Sequence, residues 1–159
     1  MAHLETQIID ILVEEDLIPD GWSCYETEAD QADKGNVIVV RQYPGRGTDS
    51  GAEYPRFQIV TRALIPLASR NQNELIFNFF SKLNRCSAYV KALPGFTLQI
   101  DPLQSSPMPL GWDGSRKRFE HVLNYEATKA QAEVNLLISP TSQMLVSPTS
   151  QYLTYLEEL

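Results

Sequence analysis

Apolar residues recur at Leu4, Ile8, Ile11 and Leu12 with polar and acidic residues between them, a three-to-four spacing that predicts an amphipathic helix over 2–16. Leu17-Ile18-Pro19-Asp20-Gly21 ends it with turn-forming residues. The stretch 22–35 is acidic and irregular, with room for a short strand at 23–26 and a turn at Asp33-Lys34-Gly35-Asn36. Residues 36–42 are rich in β-branched side chains, and 54–64 alternate Phe57, Ile59 and Thr61 against Gln58, Val60 and Arg62, so the two segments predict a hairpin. Its connection, 43–53, reads as a long glycine-rich loop, a kind that in compact domains is usually functional or disordered.

Ser69-Arg70-Asn71-Gln72 has the form of a capping box, and Leu75, Ile76, Phe79, Phe80 and Leu83 then line one face of a helix over 69–84. The aromatic pair in that stripe is what docking onto a sheet requires. Strands follow at 88–92 and 96–101, separated by Leu93-Pro94-Gly95. Pro102, Pro107 and Pro109 make a bend, Gly111-Trp112-Asp113-Gly114 a turn, and 117–128 a long strand with Phe119, His121, Leu123 and Tyr125 on one face. This order predicts an α+β fold, a mostly antiparallel sheet packed by two helices, over residues 1–130.

Residues 131–159 differ in kind. They hold a short repeat, Ile138-Ser139-Pro140-Thr141-Ser142-Gln143-Met144-Leu145 followed by Val146-Ser147-Pro148-Thr149-Ser150-Gln151-Tyr152-Leu153. Two copies are too few for a solenoid, and the serine-proline pairs disfavour helix. The expectation is an extended C-terminal arm that packs on a neighbouring subunit, with a flexible tail as the alternative.

Composition adds limits. With 159 residues, 43% hydrophobic and 21% charged, the chain has the make-up of one globular domain. Its longest apolar runs are far shorter than a membrane span, and the acidic start (Glu5, Asp10, Glu14) is unlike a signal peptide, so synthesis in the cytosol without membrane insertion is expected. Cys24 and Cys86 have no CxxC partner. The net charge of −7 argues against a dedicated DNA-binding domain. That charge is segregated: residues 1–53 carry 12 acids and 3 bases, 54–130 carry 5 acids and 10 bases, and 131–159 carry 3 acids and no base. Such segregation suits head-to-tail association of copies, with ordinary solvated faces as the alternative.

Catalytic chemistry finds little to work with. Only His3 and His121 offer an imidazole, one at the start of the chain and one on an apolar strand face. The glycines of 43–53 are followed by a strand, whereas a phosphate cradle needs a helix N-terminus. Glu26, Glu28, Asp30 and Asp33 fit a solvated acidic loop better than a cation site. No enzyme activity, cofactor or metal is expected.

Two segments resemble the phage minor capsid protein family. Glu53-Tyr54-Pro55-Arg56-Phe57-Gln58-Ile59-Val60-Thr61-Arg62 is similar to its strand of the form E-x-P-x-F-Q-v-x-x-R. Pro109-Leu110-Gly111-Trp112-Asp113-Gly114-Ser115-Arg116-Lys117-Arg118-Phe119 is similar to its turn into the last strand, with Asn124 further along. The likeness covers about residues 2–130; the enlarged acidic segment at 20–36 and everything after 130 depart from it. It implies a tail-terminator-like fold and a virion protein of the neck, assembled in the host cytoplasm. Such a protein forms a ring of itself, as a homohexamer, that caps the major tail tube protein and meets a head-side connector or stopper. DNA would pass through without specific binding, helped by an acidic lumen. Arg46 and Asp49 in the 43–53 connection, Trp112 and Asp113 in the turn, and Tyr152 in the arm are the candidate contact residues. A head-completion or adaptor protein of the neck, or a monomeric binding module unrelated to phage, remains as the alternative.

Overall fold

The computed structural model describes residues 3–29, 35–49, 52–82, 89–131, 136–138 and 144–146. The chain runs α1 (Leu4–Glu14), β1 (Trp22–Glu26), β2 (Asn36–Asp49), β3 (Ala52–Ala63), α2 (Pro66–Lys82), β4 (Tyr89–Leu93), β5 (Phe96–Pro102), β6 (Met108–Asp113) and β7 (Arg118–Gln131). Two short strands, β8 (Leu136–Ile138) and β9 (Met144–Val146), form a separate antiparallel pair. The fold is α+β: a curled, mixed sheet of seven strands with two helices. β1 lies parallel to β2, and the β2–β3, β3–β7, β5–β7, β6–β7 and β4–β5 pairings are antiparallel.

Helix α1 buries Leu4, Ile8, Ile11 and Leu12, the stripe its spacing foretold. Asp16, at φ 54, turns the chain left-handed, and the Leu17 amide donates back to the Leu12 carbonyl at 2.8 Å. That closes the helix and folds Leu17 into the core. Helix α2 starts at Pro66, three residues before the expected Ser69. Proline is pre-organised for the first helical position, and Ile65 supplies the carbonyl that the Ser69 amide needs. Ser69 therefore sits inside the helix, fully buried, and does not cap it.

Both helices cover one face of the sheet. Ile38 and Val40 of β2, Phe57 and Ile59 of β3, Leu98 and Ile100 of β5, and Leu123 and Tyr125 of β7 point into that core. Phe57 stacks on Tyr125 at 5.0 Å, and Phe80 of α2 meets Tyr125 edge-on at 5.3 Å, so the aromatic pair of the helix does dock on the sheet. The run Val37-Ile38-Val39-Val40 fails to alternate because its other face is covered too. Val37 and Val39 join Val60 and Val122 in a smaller cluster, with Tyr25 and Ala29 packed over it.

Two expected loops are strand. Residues 43–49 and 52–53 continue the β2–β3 hairpin, with Tyr43 opposite Arg56, Arg46 opposite Tyr54 and Asp49 opposite Ala52. Each step places three residues of β2 against two of β3, so two one-residue bulges absorb the excess. Bulges are where a strand tolerates proline, and Pro44 sits in the first. Gly45 is required there, because a Cβ would overlap the Tyr54 carbonyl oxygen and come within 2.8 Å of Pro55 Cα. Likewise the 108–113 segment, expected as bend and turn, pairs with β7 as β6, with Leu110 bulged between Pro109 and Gly111. An edge position is what permits Pro109 to remain in a strand.

β5 and β6 lie end to end on the same side of β7, the first opposite 125–131 and the second opposite 118–122. Between them the backbone ladder is interrupted. The Gln104 side chain fills the gap: its Nε2 donates to the Val122 carbonyl at 2.8 Å, and its Oε1 accepts from Asn124 N and Nδ2 at 3.3 and 2.8 Å. Asn124 Oδ1 in turn accepts from Gln58 Nε2 at 3.0 Å. The side-chain amide does the work of a missing peptide group.

Candidate interaction surface

The structure brings one serine and one histidine together. His121 Nδ1 lies 3.0 Å from Ser69 Oγ, but the Ser69 hydroxyl already donates to the Thr61 carbonyl at 2.9 Å. The imidazole must then donate to Ser69 through Nδ1–H, the reverse of what a general base does. Thr61 Oγ1 donates to the Ser69 carbonyl at 2.8 Å, so the group acts as a polar clamp between β3, β7 and α2. Burial holds the His121 pKa below its ordinary value, and the nearby Arg70 charge adds to this. Among the described residues no group of three His, Cys, Asp or Glu is placed to hold a metal. Burial pushes the Cys24 thiol up to about 12, which leaves it protonated at neutral pH.

Of the five candidate contact residues, the structure assigns two to internal jobs. Arg46 lies over the Tyr54 ring at 5.0 Å and ion-pairs with Glu126, which also accepts from Arg56 Nε at 3.1 Å. The two arginines hold the Glu126 carboxyl below its ordinary range, with the Arg46 hydrogen bond the main cause. Arg46 thus sits on strand β2 and not in the expected loop, and it pins the bulged ribbon to β7 while its side chain stays 63% exposed. Asp49 stands at the end of β2 opposite Ala52. Asp113 closes the β6–β7 turn: one carboxylate oxygen accepts from Ser115 N and Oγ at 2.8 and 2.6 Å, and the other accepts from Arg116 at 2.7 Å. Those hydrogen bonds, Ser115 first, hold its pKa well below the carboxylate range. Trp112 does face outward, packed on Phe119 at 4.9 Å and 52% exposed. Tyr152 lies outside the described residues.

Reading the sequence did not find Glu28 as a hub. It accepts from Arg41 at 3.1 Å, Arg62 at 3.3 Å and Arg116 at 3.0 Å, joining the segment after β1 to β2, β3 and the β6–β7 turn. Desolvation raises its pKa, and the three guanidinium charges outweigh that and hold it below the usual value. Thr27, at φ 62, is a β-branched residue in the left-handed region, held by its amide to Val40 at 2.7 Å and its carbonyl to Arg41 at 2.9 Å. This strained turn aims Glu28 across the sheet. Lys91 pairs with Glu14 as well. Acids of the first third therefore meet bases of the middle block within one chain, which spends part of the charge segregation internally. The alternation of Arg62 and Glu120 on strand positions facing away from the helices was the available signal; Arg62 is 2% exposed and its Nε donates to Glu120 at 2.5 Å.

Among the described residues the sheet has open edges at β1, β4 and β6, and β6 is the one lined by large exposed apolar side chains. It pairs with β7 alone, so its other edge carries no strand among the described residues. Met108, Leu110 and Trp112 on it are 47%, 54% and 52% exposed. Ile65 and Leu67 add exposed apolar surface at the same end of the sheet, since Ala63 pairs with Phe119 and Phe119 with Trp112. A scan against protein-family models gives no match to this sequence, and a search of curated proteins gives none either.

Proposed function

We propose that this chain is a structural subunit of a tailed-phage particle, a tail-terminator-like ring that caps the tail tube and joins it to the head connector. The reading rests on the likeness of 53–62 and 109–119 to the phage minor capsid protein family. The observation that carries it furthest is the exposed, apolar edge strand β6, whose side away from β7 carries no strand among the described residues. An open edge lined with large apolar side chains invites association, and soluble proteins normally block such edges unless they use them. The 109–119 motif is this strand and its turn.

The charged face suits a passage for DNA. Arg41, Arg46, Arg56, Arg62 and Arg116 each meet a carboxylate, so none stands as a bare phosphate contact. Native mass measurement of the purified protein tests the reading, with a closed ring of six copies expected, followed by imaging of particle necks carrying a tagged subunit. A strictly monomeric protein at high concentration, or a tag found away from the neck, overturns it.

A further inference from the structure

Three guanidinium groups from three separate elements converge on one carboxylate. Arg41 of β2 reaches Glu28 at 3.1 Å, Arg62 of β3 at 3.3 Å and Arg116 of the β6–β7 turn at 3.0 Å. All three donate to the same oxygen, Oε1, and among the described residues Oε2 accepts only from Arg41. A carboxylate oxygen has two lone pairs, so three donors exceed what Oε1 accepts well. A phosphate group, with more oxygens set tetrahedrally, offers such donors separate acceptors.

The site is built more firmly than its occupant. The Arg62 side chain is 3% exposed, whereas that of Glu28 is 49% exposed. Glu120 holds Arg62 Nε and Asp113 holds Arg116 Nη1 at 2.7 Å, so both guanidiniums keep their places without Glu28. Arg62 also stands opposite Val37, beside the buried cluster of Val37, Val39, Val60 and Val122. That apolar surface lowers the local dielectric and strengthens a charge contact made there. Glu28 itself rides on Thr27, a β-branched residue held in the left-handed region under strain. With Glu28 in place the three arginines face three carboxylates, Glu28, Glu120 and Asp113; without it one positive charge is left over.

We infer that Arg41, Arg62 and Arg116 form a phosphate site that the chain fills with its own Glu28, and that a phosphate, free or in a nucleic-acid backbone, takes the place of this carboxylate. Arg41 is the donor set free by the exchange, because its Nε donates to the Thr27 carbonyl of the same turn. Glu28 and the phosphate compete, so the wild-type chain binds weakly and a chain lacking this carboxylate binds tightly. The inference goes beyond the neck reading above and stands without it.

Full-length wild-type, Glu28→Ala and Asp10→Ala chains are titrated with inorganic phosphate by calorimetry and with a fluorescent DNA duplex by anisotropy. Asp10 is exposed on α1, so its loss changes the net charge equally but outside the cluster. The Glu28→Ala chain, in which Arg62 keeps Glu120, is expected to bind phosphate roughly tenfold or more tighter than the other two. Adding Arg116→Lys keeps the charge but loses the guanidinium fork, and should remove most of the gain. If the duplex gains as well, with log affinity falling about one unit more per tenfold rise in salt, the phosphate belongs to nucleic acid; a gain with inorganic phosphate alone assigns a free phosphate. Equal phosphate binding by Glu28→Ala and wild type, an equal gain from Asp10→Ala, or a gain that survives Arg116→Lys overturns the site.

Discussion

Replacing Arg62 by methionine tests whether the charged face of the sheet is a structural element. The Arg62 side chain is 3% exposed and its Nε lies 2.5 Å from Glu120, itself 14% exposed; a second contact at 3.3 Å goes to Glu28, 49% exposed. Methionine keeps most of the packing but leaves the Glu120 carboxylate buried without a counter-charge. Breaking one side of a buried pair costs about 3–5 kcal/mol. The half-exposed Glu28 contact adds little, roughly 0–0.5 kcal/mol. Because Glu120 keeps some contact with water, the lower end applies, and a loss of about 3 kcal/mol is expected. That corresponds to a drop in midpoint of roughly 10 °C for a domain of this size. Urea unfolding followed by Trp22 and Trp112 fluorescence measures it, provided the slope is unchanged. Adding Glu120→Leu removes the orphaned charge, and the double variant should return to within about 1 kcal/mol of the parent. A single variant that loses less than about 1 kcal/mol, or a double variant whose losses simply add, refutes the argument.

Gln104→Leu removes the amide that bridges the broken ladder, leaving the Val122 carbonyl and Asn124 amide without their partner; a loss of about 1–3 kcal/mol in the same assay is expected, and Gln104→Glu should recover only part, since its carboxylate accepts but cannot donate. For pH, His121 has a folded pKa below its unfolded value of 6.5, so the unfolded state takes up the proton first. Stability is therefore full above about 6.5 and falls as pH drops from there toward the folded pKa, and a His121→Gln variant should flatten that part of the profile in chemical unfolding measured from pH 7.5 to 5.

Periodicity was enough for the helices and most strands. The stripe Leu4, Ile8, Ile11 and Leu12 can face only one way, and Phe80 had to find a sheet. The candidate site was less legible. Trp112 faces outward, and Arg46 and Asp113 hold the ribbon and the β6–β7 turn, contacts that the residues' own neighbours in sequence do not encode. Glu28 and Gln104 act through residues far away in sequence, 88 positions in the case of Arg116, and no local pattern encodes such a pairing.

The sequence alone determined which segments could be helix or strand, because that depends on spacing and on what each backbone position tolerates. Only the tertiary structure decided that 43–49, 52–53 and 108–113 are strand, since glycine and proline there are made acceptable by bulges against specific neighbours, Tyr54 and His121. It also decided which arginines are spent and which of the open edges, that of β6, is lined by exposed apolar side chains. Ion pairs and sheet edges are properties of chain segments brought together from a distance, and their energies depend on burial, which exists only after the fold has formed.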